Sequence, residues 1–600
     1  MTAGGYADRV LYVDLSTGRQ HIAPLATADR EAYLGGRGIA ARILFDEVPV
    51  GVDPLGPENR LIIFTGPLTG TTIPFTAKHC VVTKSPLTGG YTRSITGGFF
   101  SPELKFAGFD GIVISGRASQ PVYLFITNEK VEIRDASSLW GLTIPETEKR
   151  LKQELGRTAR IASIGPAGEK LVRFASIMND TYRAAGRGGT GAVMGSKNLK
   201  AIAVSGHGPV TAADPELLEK TLVRGYEAIV AHPGYVNRLR YGAMETVPLV
   251  YRYGIASVRH FSHEPFPDMN SFSPPAIAEE FLVEDRSCFA CPHKCLKYTA
   301  IKEGRWAGTK AEGPKYETLC MFGPNCGNTD IRSIVKANEI CASYGLDTAS
   351  TGNVVAFAME CAARGILTPR ETGGITPVFG SGESVVALVE RIATREGLGD
   401  LLAEGVRRAA ACLGQGAEAL AMHVKGQELG SFEPRGYPAM GLAYATSNRG
   451  ACHMGPPFRL DPWWHRKEPD SPERWATAGK AGVVVATQNL YALLDSFMFC
   501  SFSRYGFDMD YFLTFLRAVT GRELRADEAE RTANRIYSLE RAFNLREGFT
   551  ARDDLLPARF LEGPQGLPLK EMLAEYYAER GWDETGTPPE TTREPERERG

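Results

Sequence analysis

The 600-residue chain carries 68 basic and 70 acidic side chains, a formal net charge of -2. That balance argues against a broad basic surface for DNA or RNA. No apolar run reaches the roughly 18 residues of a membrane helix, so any membrane link would pass through a partner. The length exceeds what one hydrophobic core supports, and two or three domains are expected.

Eleven cysteines, an odd number without regular spacing, do not make a disulfide framework. The opening Met1-Thr2-Ala3-Gly4-Gly5 lacks a basic then apolar leader, so a reducing cytoplasm is the expected compartment. Residues 1–210 read as strands punctuated by glycine, among them Val10-Leu11-Tyr12-Val13, Leu61-Ile62-Ile63-Phe64, Gly111-Ile112-Val113-Ile114 and Ala201-Ile202-Ala203-Val204. Four polar residues, Thr127 to Lys130, separate two further apolar runs and predict a hairpin. From about 211 the spacing turns helical, in Ser384 to Thr394, Leu401 to Cys412, Asp527 to Phe543 and Leu569 to Glu579. The expected fold class is α+β. A sandwich-like, β-rich base over 1–210 precedes two mainly α-helical domains over 211–420 and 421–583, and 584–600 reads as a disordered tail.

Three glycine-rich turns stand out in the base. Gly186-Arg187-Gly188-Gly189-Thr190-Gly191 matches a dinucleotide fingerprint by letter, but polar Asn179 to Arg183 precede it instead of a strand, which argues against that reading. Glycine amides flanked by Arg183 and Arg187 suit a phosphate. Gly35-Gly36-Arg37-Gly38 and Ser94-Ile95-Thr96-Gly97-Gly98 have the same character, and together they point to a phosphate-bearing cofactor.

The first helical domain carries Cys288-Phe289-Ala290-Cys291-Pro292-His293-Lys294-Cys295, three thiols in eight residues that make an incomplete site for zinc or an iron–sulfur cluster. Cys80, Cys320, Cys326, Cys341, Cys361, Cys412, Cys452 and Cys500 are all candidates for the fourth ligand. Apolar, aromatic company around Cys500 favours it. Glu317, entering the apolar run Leu319-Cys320-Met321-Phe322, is a candidate desolvated acid or base. His453 is a candidate of the same kind, weighed against an ordinary core or surface role.

These pieces resemble the tungsten-containing aldehyde:ferredoxin oxidoreductases, from Leu34-Gly35-Gly36-Arg37-Gly38 to Leu569-Lys570-Glu571-Met572-Leu573. The most specific matches are Ser85-Pro86-Leu87-Thr88-Gly89, Glu103 to Gly108, Arg183 to Gly189, Cys288 to Cys295, Gly345-Leu346-Asp347-Thr348 and Asn448 to His453. The resemblance implies a β-rich base for tungsten held by two pterin dithiolenes, enclosed by two helical domains. It implies that Cys288, Cys291, Cys295 and Cys500 hold a [4Fe–4S] cluster. Lys78, Gly97, Arg183, Gly186, Arg187, Leu346, Asp347, Arg449, Gly450, Asp495, Phe499 and Ser501 fall at pterin-contacting positions. The backbone carbonyls of Ile95 and Ala184 would bind a Mg²⁺ joining the pterin phosphates, and Glu317 and His453 fall on the acid–base pair.

The chain departs from the family pattern at several of these places. Ala342 replaces an aspartate, Met498-Phe499 replace Gly-Leu, Lys78 stands at an arginine position, and Gly455 stands where a lysine can occur. Lys336 and Val386 occupy the positions of an intersubunit iron's ligands and cannot serve, so a homodimer or a heteromer without that iron is expected. The implied activity is oxidation of an aldehyde to a carboxylic acid, with tungsten or molybdenum at the bis-pterin centre and electrons leaving through the cluster to ferredoxin or a ferredoxin-like subunit. Reductive dearomatising chemistry and a non-catalytic iron–sulfur or zinc scaffold are the alternatives; Glu317 and His453 favour the first reading.

Overall fold

The computed structural model describes residues 4–262, 265, 270–461 and 471–590. Its N-terminal part is a sandwich of two six-stranded sheets. The first contains β1 (Arg9–Asp14), β2 (Arg19–Pro24), β3 (Leu61–Thr65), β4 (Lys78–Lys84), β5 (Tyr91–Gly97) and β6 (Gly111–Ser115), in the order β2-β1-β6-β3-β4-β5. The second contains β7 (Val122–Thr127), β8 (Val131–Asp135), β9 (Arg160–Ser163), β10 (Ile177–Asn179), β11 (Arg183–Ala185) and β12 (Leu199–Ser205), in the order β11-β10-β9-β12-β7-β8. The expected hairpin forms, with Ile126 opposite Val131 and Val122 opposite Asp135.

The short apolar runs become strands because alternate side chains are buried on both faces. On β3, Leu61 and Ile63 join Ile112, Leu124, Ile126, Ile202 and Val204 between the sheets. Ile62 and Phe64 point the other way, into a core shared with Phe497, Phe515, Ile536 and Phe543. The C-terminal helices Lys480–Phe497, Met509–Thr520 and Ala526–Arg546 therefore cover the first sheet. Helix Ile144–Leu155 covers the outer face of the second through Leu151.

A third core gathers the intermediate helices, including Ile331–Tyr344, Thr348–Ala363 and Gly382–Thr394. Thr348–Ala363 is buried nearly all round, and its mixture of small and apolar residues suits a central helix. Asp347 caps it, accepting from the Ala349 and Ser350 amides.

One predicted helix needs correction. Leu401 to Cys412 is two helices, Leu398–Leu402 and Val406–Leu413, because Gly405 lies at φ 84° and the Glu428 carboxylate accepts from the Val406 amide 3.0 Å away. The apolar period runs unbroken across the joint, so spacing alone conceals it. The mainly helical part also contains a three-stranded sheet, β13 (Leu282–Arg286), β14 (Leu296–Ala300) and β15 (Lys310–Glu312). At the other end, Gly586 lies within the expected tail but is held by a hydrogen bond from Arg541 to its carbonyl, 3.0 Å. Residues 591–600 of that tail lie outside the described residues. No helix among the described residues is long and apolar enough to cross a membrane.

A candidate cofactor and acid–base site at the sandwich edge

The free edges of the two sheets, β5 and β11, pack together at one end of the sandwich. Most of the candidate residues gather there. Ile95 and Gly97 lie on β5, with Lys78 opposite Gly97 on β4. Arg183 and Ala184 lie on β11, and Gly186 and Arg187 follow it directly, so a strand does precede the glycine run, contrary to the expectation. It is a three-residue edge strand antiparallel to β10, not the parallel strand of a dinucleotide fold. Leu346 bridges to Ala175, placing the capping Asp347 beside Arg187 at 3.2 Å. From the C-terminal part, Arg449 donates to the Arg93 carbonyl on β5 at 2.7 Å, and Asp495 pairs with the Arg93 guanidinium at 3.2 Å.

The guanidinium groups are not all equally available to an anion. Arg187 spends its donors on Asp347 and on the carbonyls of Ala451 and Glu428. Arg449 spends its donors on the Cys452 sulfur, at 3.0 and 2.8 Å, and on Arg93. Arg183 keeps its Nε buried without a hydrogen-bond partner, an opening that an anionic group would fill. Arg37, from a glycine turn read as a phosphate cradle, is instead bound bidentately to Glu540 at 2.6 and 2.8 Å. Gly36 there serves close packing, since a Cβ would lie 2.4 Å from the Asp495 carbonyl oxygen.

The cysteine stretch is the connection between β13 and β14, so a hairpin presents it. Its Phe289 amide donates to the Gly98 carbonyl, and a Cβ on Gly97 would sit 2.9 Å from the Cys288 sulfur. That position needs glycine for the thiol to reach the sheet edge. Cys500 arrives from the C-terminal part just after helix Lys480–Phe497, anchored by its amide to the Phe75 carbonyl at 2.8 Å. The four thiols are electrostatic neighbours: burial, then Cys288 and Cys500, push Cys295 up to about 11. Burial, then Cys295, Cys288 and Cys500, push Cys291 well above the usual thiol range. Lys78, Arg183 and Lys315 surround Cys288 and pull the other way. Among the described residues no three His, Cys, Asp or Glu side chains converge closely enough for a single metal ion.

Met498, one of the departures from the family pattern, ends helix Lys480–Phe497 at φ 69°. This is the left-handed cap where glycine is at ease and other residues cost about 1–2 kcal/mol. Phe499 is held in an aromatic group with Phe512 and Phe507, and Ser501 opens the next short turn. Gly450 lies at φ 87°, with space for a Cβ closed by Gln427 and the Val424 carbonyl.

The small sheet also leads to the acid. β15 ends at Glu312, and Glu317 follows in the first turn of helix Tyr316–Phe322. Both carboxylate oxygens of Glu317 are taken by one residue, Ser431: its amide donates to Oε1 and its hydroxyl to Oε2, each at 2.8 Å. His453 faces the same carboxylate, Nδ1 standing 3.7 Å from Oε1, too far for a hydrogen bond. That buried Nδ1 has no hydrogen-bond partner. Burial pushes Glu317 up to about 7, against the opposing pull of the Ser431 hydrogen bonds and Arg187. Burial, then Arg187 and Arg449, hold His453 well below the ordinary imidazole value, so its ring is neutral. Sequence reasoning missed Ser431, and no local signal marks it, because its contact to Glu317 spans 114 residues.

This geometry stands beside comparisons with known proteins. Residues 10–206 match the family model described as the aldehyde ferredoxin oxidoreductase N-terminal domain, and residues 220–595 match that of its domains 2 and 3. The chain belongs to the aldehyde ferredoxin oxidoreductase family. A tungsten-containing aldehyde ferredoxin oxidoreductase of Pyrococcus furiosus is 42% identical over 603 residues, covering 97% of each chain. An aliphatic sulfonate oxidoreductase, WOR-like subunit, of the same organism is 32% identical, covering 98% of this chain and 96% of that one. Among solved structures, the active-site complex BamBC of benzoyl coenzyme A reductase with 1,5-dienoyl-CoA aligns at a TM-score of 0.86 and 28% identity, over 98% of this chain and 97% of that one. The sandwich base and helical enclosure are thus those of an aldehyde ferredoxin oxidoreductase family member, and the chain is an oxidoreductase of that family.

Proposed function

We propose that this protein oxidises aldehydes to carboxylic acids with a tungsten bis-pterin, or its molybdenum equivalent, at the junction of β5 and β11. When bound, the bis-pterin supplies two-electron redox chemistry and a [4Fe–4S] cluster supplies one-electron transfer to a ferredoxin or ferredoxin-like subunit. The residues fit these groups. The open Arg183 Nε and the glycine turn at Gly186 suit an anionic cofactor, and the adjacent Ile95 and Ala184 strands bring carbonyls for Mg²⁺. Four mutually interacting thiols suit a cluster in which each thiolate meets its own iron.

The observation that carries the reading is the geometry of a largely enclosed carboxylate, clamped by Ser431 and facing the His453 ring at 3.7 Å, where burial pushes the acid up to about 7 and the imidazole down. Aldehyde and water give acid, two electrons and two protons. Glu317 takes a proton from the water as it attacks the carbonyl carbon, a task matched to a base with a pKa near the working pH. His453, uncharged, donates an N–H to the aldehyde oxygen and stabilises the charge that develops there. Tyr316 and Phe432, next in sequence to Glu317 and Ser431 respectively, stack with ring centres 5.5 Å apart.

Lys336 is paired with Glu339 and Val386 is buried, which supports an assembly without an intersubunit iron at these positions. The test is anaerobic reduction of ferredoxin or a viologen dye by a panel of aldehydes. Aldehyde-dependent reduction is expected. Failure with every aldehyde, together with oxidation of a cyclic dienoyl-CoA thioester, would move the assignment to the dearomatising chemistry of the structural neighbour.

A further inference from the structure

The geometry points to Ser431 as the positioning residue that keeps Glu317 ionisable and aims its carboxylate. This inference rests on the reading of Glu317 as the base. Ser431 is fully buried and engages both carboxylate oxygens at 2.8 Å, so it fixes the plane of the group as well as its distance. The preceding Gly430 makes the approach possible, since a Cβ there would stand 2.5 Å from Oε1 and 2.9 Å from the His453 Cβ.

The segment is itself held from two further sides. The Ser257 amide donates to the Ser431 carbonyl at 2.7 Å, and Ala256 bridges to Phe432. The Asn353 side chain, from the central helix, donates to the Leu429 carbonyl at 3.0 Å. Ser431 therefore cannot follow the carboxylate if it moves, and a rotated Glu317 would lose both bonds. Hydrogen bonds donated to a carboxylate favour its charged form, whereas burial favours the neutral one. An ionised carboxylate has about four acceptor sites, so two remain for water or substrate after Ser431 has taken its share. The charged, titratable and polar groups around Glu317 are Ser431, His453, Arg187, Asp347, Tyr316, Cys320 and Tyr444, and among the described residues both hydrogen bonds to its carboxylate come from Ser431.

The test compares pH profiles and the infrared band of the protonated Glu317 carboxyl, identified by its disappearance in Glu317→Gln. Ser431→Ala removes the hydroxyl and keeps the amide. The acidic limb of kcat/KM and the infrared midpoint are both expected to move about one unit to higher pH, as loss of one hydrogen bond to a charged group implies. Ser431→Thr restores the hydroxyl and should bring both midpoints back. If Ser431→Ala is recovered poorly, Ser431→Cys, a weak donor, should give an intermediate shift. Unmoved midpoints in Ser431→Ala, or a shift in Ser431→Thr as large as in Ser431→Ala, would overturn the inference while leaving Glu317 as the base. Persistence of the limb in Glu317→Gln would instead overturn the reading of Glu317 itself.

Discussion

Replacing Glu317 by glutamine is expected to lower aldehyde turnover by about 10²–10⁴-fold while the cofactors stay bound. The amide matches the carboxylate in size and still accepts one hydrogen bond from Ser431, but it cannot take a proton from water. Among the described residues, the hydrogen bonds to Glu317 come from Ser431 and the nearest basic side chain is His453, so the four cluster thiols and Arg183 are not anchored by it. The same substitution has a second readout. The folded value of about 7 lies above the ordinary 4.5, so this carboxyl contributes stability that is fully present below the unfolded pKa and is lost as pH rises through 7. Above pH 7 the glutamine variant should therefore be more stable than the parent, by about 3 kcal/mol at most. Higher stability with much lower turnover is the signature of a base kept buried for its chemistry. Near-normal turnover in Glu317→Gln would remove Glu317 from the mechanism.

Removing Cys500 should have an equally large effect by a different route. Cys500→Ala leaves the β13–β14 hairpin and its three thiols in place, since Cys500 is tied to Phe75 through its backbone and not its side chain. The full [4Fe–4S] absorbance should be lost, and aldehyde-driven reduction of ferredoxin should fall to background. Purified under strictly anaerobic conditions, the variant is expected to retain tungsten, which separates loss of the relay from loss of the whole site. A complete [4Fe–4S] spectrum in this variant would return the fourth ligand to the other buried thiols.

Much of this was legible in the chain, for reasons that differ from residue to residue. Half of the base strands, β1, β3, β6, β7, β8 and β12, are readable as short apolar runs, and β3 shows why: both faces are buried, so neither can be polar. By contrast, β2 is polar and exposed, and β9, β10 and β11 are too short to show a pattern. The cysteine stretch was readable because thiol spacing is local. Its hairpin setting was not, since β13 is largely exposed and is charged over Glu284 to Arg286, and β14, though largely buried, mixes Lys297 and Thr299 with its apolar residues. Gly405 was missed because helical spacing continues across it. Arg37 misled because the carboxylate that claims it, Glu540, lies 503 residues away. Ser431 was invisible for the same reason: its importance is a distance to Glu317, and distance between remote segments is what a sequence does not display. Met498 shows the converse, a departure from the family's glycine that the structure locates at a left-handed helix cap.

The most direct measurement is metal analysis, with electron paramagnetic resonance, of protein purified without oxygen. The account predicts about one tungsten and four iron per chain, with a reduced [4Fe–4S] signal that appears on adding an aldehyde. Molybdenum in place of tungsten would keep the chemistry and change the metal. Zinc alone, with neither iron nor tungsten, would contradict the account.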